Sequence, residues 1–272
     1  MVANYGDFVL FEADTAVLIT VISLIIGVFI ASGVLIGRRM RSKSMTDHHR
    51  ESLGVIQGAL LGLVGLLLAF GLTMAVTRYE VRRDVLVDEA NAIGTTYLRA
   101  QLLAEPERST SLELLRMYTD AAIEMNESPP DSPEFDAAVT VMDDLHTDLW
   151  RVAGESIAKA PQDSAPRLYI ETLNDTIDRH ADRVASLRNR VPSAVWILQI
   201  FGSAIALGVL SLYLSLLGRG LLTPLLAGVF VVLILFNSFD LDRPRRGFIH
   251  VPSAALTDVR ATMDLPPAAN GP

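Results

Sequence analysis

From Leu53 to Leu103 the chain contains no proline, and the character of that stretch changes halfway along it. It opens as G-V-I-Q-G-A-L-L-G-L-V-G-L-L-L-A-F-G-L-T-M-A-V, without a charge, and continues as R-Y-E-V-R-R-D-V-L-V-D-E-A-N-A-I-G-T-T-Y-L-R-A. The first proline of the chain is Pro106. No backbone donor is missing before it, so a single helix is expected throughout. At ~1.5 Å per residue such a helix reaches about 75 Å, more than twice the about 30 Å of a bilayer's hydrocarbon core. One end therefore belongs in lipid and the other in water, and the other segments have to pack beside it. Gly71 and Gly94 mark the places where it is expected to bend.

Half of the 272 residues are hydrophobic, a fraction that soluble domains also reach, so the distribution carries the information. Thr15 to Gly37 is uncharged and long enough to cross a membrane. The residues before it hold Asp7, Glu12 and Asp14 but no Lys or Arg, unlike the basic start of a secretory signal, so this run is expected to be retained. The second span is the first part of the proline-free stretch. A third runs from about Ala194 to Leu217, with Trp196 and Tyr213 near its ends, where such rings favour the membrane interface. L-G-R-G-L makes a tight turn into a fourth run, Leu221 to Phe236, only about 24 Å long by helix rise. Asn237, Ser238 and Phe239 complete it.

Between Arg78 and Arg190 the pattern predicts four amphipathic helices, the first being the continuation of the long one. The second, near Ser109 to Glu127, turns Leu112, Leu115, Tyr118, Ala122 and Met125 inward. The third starts on Ser132 as a cap with Pro133 in the first turn, and aligns Phe135, Val139, Met142, Leu145, Leu149 and Val152. The fourth, Arg167 to Asn189, puts Ile170, Leu173, Ile177, Ala181 and Val184 on one stripe. The fold class is therefore an all-α membrane protein, with four transmembrane helices and a four-helix extramembrane insert between the second and third spans. The expected divisions are an N-terminal pair of spans (1–77), the helical insert (78–191), a C-terminal span hairpin (192–239) and a Pro-rich, charged tail (240–272), partly disordered.

A formal net charge of −8 argues against a general nucleic-acid binder. The lack of cysteine excludes disulfides, thiol nucleophiles and thiolate metal sites. No H-E-x-x-H, G-x-S-x-G, Walker loop or G-x-G-x-x-G is present, so neither an enzyme nor a bound cofactor is expected. His48 and His49 are adjacent, point apart on a helix, and read as a solvated pair rather than a metal site. No Asp, Glu, Lys or Arg lies deep in a span, which counts against a proton relay or a charge-coupled transporter.

Two sets of residues stand out. Gly54, Gly58, Gly62, Gly65 and Ala69 fall on one narrow face of the second span. Close helix packing of the G-x-x-x-G kind, including packing between subunits, is one reading; a strip facing a pore, where small side chains leave room for ions or water, is the other. The second set is charged. Asp84, Asp88, Asn91, Thr95 and Arg99 form a polar face of the long helix, while Glu89 lies in the middle of the opposite face, with Val85, Leu86, Ile93 and Tyr97. In the fourth insert helix His180 interrupts the Leu173–Ile177–Val184 stripe, and Arg188 follows on nearly the same face. Burying such a charge alone is costly, so Glu89 is expected to meet His180 or Arg188, as a structural ion pair or as a pH- or ligand-sensitive switch.

Several segments carry a family resemblance. G-A-L-L-G-L-V-G-L-L-L-A-F, R-Y-E-V-R-R and D-E-A-N-A-I-G-T-T-Y-L-R-A resemble a bacterial membrane family of unknown function described as bestrophin-like. L-Y-I-E-T-L-N-D-T-I-D-R-H and L-R-N-R-V-P-S-A-V-W are similar to its later block, and R-P-R-R-G-F-I-H-V to its tail, where R-P-F-x-G is more usual and Arg245 here replaces the aromatic residue. Bestrophins are pentameric ion channels whose second span lines the pore and whose helical cytosolic region continues the path. The resemblance thus implies a homo-oligomer in the plasma (inner) membrane that passes small ions, with Gly54, Gly58, Gly62, Gly65 and Ala69 as pore or pore-packing positions. No acidic calcium-binding run is present, so calcium gating is not implied.

Four crossings put the insert and both termini on one side. The first loop, with Arg38, Arg39, Arg41, Lys43 and Arg50, places that side outside by the positive-inside rule. Arg78, Arg82, Arg83, Arg188, Arg190, Arg243, Arg245 and Arg246 place it inside, and the family resemblance agrees with them. A membrane-anchored helical sensor or scaffold, binding a partner through residues 78–191, is the alternative to the channel.

Overall fold

The computed structural model of the chain describes residues 14–41, 47–130, 132–245 and 247–269, and at 47–50 the backbone alone. Asp7, Glu12, Lys43, Arg246 and the side chains of His48, His49 and Arg50 lie outside the described residues. Helices supply the regular structure among them: α1 (Thr15–Arg41), α2 (Asp47–Ala100), α3 (Glu107–Glu127), α4 (Pro133–Lys159), α5 (Ser164–Arg188), α6 (Ser193–Leu216), α7 (Leu222–Asp242) and α8 (Ala254–Thr262). The proline-free stretch is α2, a helix of 54 residues that Gly71 and Gly94 do not interrupt.

Four helical stretches contain an apolar window long enough to cross a bilayer: Thr15–Arg41, Glu51–Ala100, Ser164–Leu216 and Leu222–Asp242. In the second the window lies before Arg78, and in the third after Asn189, because charges crowd the remainder of each. The chain divides into two compact units, Met1–Thr77 with Arg190–Gly247, and Arg78–Asn189 with Phe248–Pro272.

In the first unit Leu18, Ile22, Ile26 and Ile30 of α1 recur every fourth residue and are buried, the spacing that keeps one stripe facing a neighbour. α1 packs chiefly along α6. Gly33 and Gly208 let the two backbones touch, for a Cβ on Gly33 would overlap the Gly208 carbonyl oxygen. Gly37 is pressed in the same way against Ser215, whose Cβ would lie 2.7 Å from an added methyl. Polar contacts accompany the close packing: Ser215 Oγ donates to the Val34 carbonyl at 3.2 Å, and Gln199 Nε2 to that of Leu67 at 2.9 Å.

Trp196, in the first turn of α6, is turned into the protein. It is fully buried and stacks on Phe239 with ring centroids 4.0 Å apart. The buried carboxylate of Asp242 accepts the Val191 N–H at both oxygens, at 3.2 and 3.0 Å, which ties the start of α6 to the end of α7. The fourth run accordingly continues as helix past Phe239 to Asp242, so the division drawn at residue 239 falls inside α7.

The second unit is built on the later part of α2 with α3, α4, α5 and α8. Leu86, Ile93, Tyr118, Phe135, Met142 and Leu173 share one core. Ser132 caps α4 by accepting the Phe135 N–H at 3.2 Å, with Pro133 opening the helix. In α5 the buried positions are Pro166, Tyr169, Thr172, Leu173, Thr176, His180, Arg183 and Leu187. This stripe is rotated from the expected one, and Ala181 is exposed. Much of the tail joins this core. Leu256 and Met263 are fully buried, Tyr97 and Arg116 donate to the Met263 carbonyl at 3.0 and 2.8 Å, and Asn126 Nδ2 donates to Ser253 Oγ at 2.9 Å. Apolar burial and these hydrogen bonds dock the part of the tail from Ser253 to Met263 on the core, while residues 264–268 stand exposed.

Candidate functional site

The small-residue face of α2 belongs to the first unit. α2 packs there through Val64, Leu68 and Ala75, a stripe set about 110° round the helix from the glycines at 100° per residue. Gly58, Gly62, Gly65 and Ala69 are exposed. A Cβ added at Gly58, Gly62 or Gly65 would meet no atom within 4 Å, whereas one at Gly54 would lie 3.0 Å from the Tyr213 hydroxyl. The close packing expected of these glycines is carried, within the chain, by Gly33, Gly37 and Gly208 instead. Three of the five small positions therefore face open space among the described residues.

The charged set lies in the second unit, where four helices bring their polar groups together. Glu89 of α2 is fully buried. Its Oε2 is paired with Arg183 Nη1, and its Oε1 accepts the Tyr118 hydroxyl at 2.9 Å. Arg183 Nη2 donates to the Ala122 carbonyl at 2.9 Å, which ties α5 to α3. His180 Nδ1 stands 3.5 Å from Glu89 Oε1, outside good hydrogen-bond geometry and close enough for electrostatic attraction. The His146 ring packs on both neighbours, 4.9 Å from Tyr118 and 5.0 Å from His180 between centroids. At the rim Asp143 Oδ1 lies 3.9 Å from His180 Nε2 and 4.0 Å from His146 Nδ1.

Burial on its own pushes the Glu89 carboxyl up, but the adjoining Arg183 cation, its hydrogen bond and the nearby His180 outweigh that and hold it at about 2. Burial, and then the neighbouring His180, push His146 down to about 4. The Tyr118 phenol is pushed well above its usual range by burial and by Glu89. At neutral pH the centre is thus a carboxylate and a guanidinium, flanked by a neutral imidazole and a neutral phenol. Glu89, Tyr118 and His146 are each held away from proton exchange near pH 7, and the Glu89–Arg183 pair, tied to α3 through Tyr118 and Ala122, is suited to holding the helices in one register.

The structure brings Glu89 and His180 together and leaves Arg188 elsewhere. Arg188 pairs with Asp136 at 3.2 Å, with its side chain 49% exposed, and its guanidinium lies over the Phe135 ring. The cation at Glu89 is Arg183, which sequence reasoning missed along with Tyr118 and His146. A signal for Arg183 was present: Leu173, Thr176, His180, Arg183 and Leu187 recur at steps of three and four, the spacing of one helix face.

A family model described as a Bestrophin-like domain matches residues 16–256. Among solved structures, a bacterial bestrophin homologue from Klebsiella pneumoniae, solved by zinc phasing, matches with a TM-score of 0.62 at 12% identity, covering 90% of this chain and 95% of its own. A point mutant of a bacterial bestrophin homologue from the same organism matches with a TM-score of 0.62 at 14% identity, covering 86% and 96%. Another, described as a membrane protein, matches with a TM-score of 0.61 at 14% identity, covering 88% and 97%. At these identities the likeness establishes a shared fold. No curated protein sequence matches the chain.

Proposed function

Because the chain belongs to the bestrophin-like family, we propose that copies of it assemble round a common axis, as a pentamer by analogy, into a membrane channel for small ions. Conduction follows the small-residue face of α2. The observation that carries this reading is the face made by Gly58, Gly62, Gly65 and Ala69, which is exposed in a single subunit and stands apart from the stripe that α2 buries. A ring of such helices gives each glycine a purpose: it lines the path, or it lets the neighbouring copy come close. Small apolar walls favour control by dehydration at a narrow constriction over selection by a charged filter.

In this reading residues 78–191 form the extramembrane helical insert, cytoplasmic by family analogy, and the Glu89–Arg183 centre keeps the insert's own helices in register. Ion flux from liposomes holding purified protein tests the proposal, over a range of salts and pH. Flux is the expected result. A folded protein that passes no ion, or that stays monomeric in mild detergent, refutes the channel and favours the scaffold. Gly62→Leu separates the two roles of the glycine face: a lining residue lowers flux with the oligomer intact, and a packing residue changes assembly.

A further inference from the structure

Two cavities of the first unit lie end to end along α1 and α7. One, of about 130 Å³, is lined by Val34 and Arg38 of α1, by Ser211 and Ser215 of α6, and by Arg219 and Leu221 at the α6–α7 turn. The next, of about 220 Å³, is lined by Ile26, Gly27 and Ile30 of α1 with Leu225, Val229 and Val232 of α7. From the first to the second the lining residues fall in number along α1 and rise along α7, so the two helices run antiparallel and the apolar pocket follows the basic one along them.

The upper pocket is built for an anion. Arg38 and Arg219 line it, and Arg41 lies across the turn, where an added Cβ on Gly218 would come 2.6 Å from its Nη1. No acidic residue occurs in α1 or between Ser193 and Phe239, so the arginine charge has no counter-ion on these elements. The carbonyl end of α1 accounts for some of that charge. Arg219 sits between the carbonyl end of α6, where its N–H donates to the Leu214 carbonyl at 2.9 Å, and the amide end of α7. α7 begins at this pocket with no side-chain cap, which leaves amide donors and the positive end of its dipole there. The lower groove offers the complementary half, since Leu225, Val229 and Leu233 stand exposed beside it on a helix apolar enough to cross a bilayer.

We propose that this groove is a binding site for an acidic phospholipid, with the phosphate between Arg38 and Arg219 and an acyl chain along Ile26, Gly27 and Val229. A basic pocket between spans at the membrane surface, opening on an apolar channel, fits a molecule with one anionic end and one hydrocarbon end. A free phosphate uses the upper pocket alone. The site is independent of the proposed conduction path and of which leaflet it faces.

The test uses the full chain in neutral detergent, with phosphatidylglycerol or phosphatidylcholine added and bound lipid counted by native mass spectrometry. Phosphatidylglycerol is expected to be retained and phosphatidylcholine is not. Each arginine near an anionic surface is worth a factor of about five, so Arg38→Gln with Arg219→Gln weakens phosphatidylglycerol about 30-fold, while the double Lys variant keeps most of the binding. Gly27→Leu places an isobutyl group in the groove, from a position where the Cβ itself meets nothing within 4 Å; it is expected to lower lipid retention and leave inorganic phosphate binding unchanged. Equal retention of both lipids, or no effect of the double Gln variant in protein that melts normally, overturns the proposal. Phosphate competing fully while Gly27→Leu has no effect also overturns it, in favour of a simple anion site.

Discussion

Replacing Glu89 with Gln keeps the volume of the side chain and removes its charge. Arg183, only 1% exposed, then remains as a cation without its counter-ion. Breaking one partner of a buried pair costs about 3–5 kcal/mol. The carboxyl itself gives a consistent figure: moving it from 4.5 to about 2 corresponds to about 3 kcal/mol of preference for the charged form in the fold. Removing the cation with Arg183→Met costs a similar amount, since Glu89 is then charged and buried beside Tyr118. The double variant should be much less damaging than the sum, because no lone charge remains. What persists is the unpaired amide N–H group of Gln at 89 and the Ala122 carbonyl, at about 1–3 kcal/mol each. Arg188→Met is the control. That arginine is half exposed and its partner Asp136 is 61% exposed, so its loss should cost less than about 1 kcal/mol. Hydrogen exchange in peptides from α3 and α5 of the full chain, at pH 7, measures all four variants. A loss under about 1 kcal/mol for Glu89→Gln, or near-zero coupling between Glu89 and Arg183, would refute the account of this centre.

Stability should fall with acid in two stages. His146 is neutral in the fold down to about 4 but takes a proton at 6.5 when unfolded, so its contribution is complete above 6.5 and is lost between 6.5 and about 4. Glu89 is depressed to about 2 from 4.5, so its contribution is present above 4.5 and is lost as pH falls towards 2. Urea midpoints against pH for wild type and His146→Gln check this, the variant flattening only the upper stage; Tyr118, His180 and Asp143 are the groups that face His146. Gly33→Ala should destabilise the first unit by about 1–3 kcal/mol through overpacking on Gly208, read as a lower melting temperature, while Gly65→Ala, with open space at its Cβ, leaves the monomer's melting unchanged.

The sequence by itself determined the class of this protein. Apolar runs long enough for a bilayer and 3.6-residue periodicity between them are local properties, and they specify helices and their solvent whatever those helices later touch. The same holds for the Ser132 cap and for the absence of a break in α2. Burial of Glu89 was legible too, because a charge amid Leu86, Ile93 and Tyr97 has one environment on any helix. The tertiary structure decided the partners. On α5 Arg183 lies about 60° to one side of His180 and Arg188 about 80° to the other and two turns on, so a modest rotation of the helix selects between them. Which glycines carry the close packing within the chain, Gly33 and Gly208 and not Gly62, follows from which spans pair. The docking of the tail on α3 likewise joins residues far apart in sequence. Periodicity fixes how each helix divides its faces, but only packing sets the rotation and the neighbour.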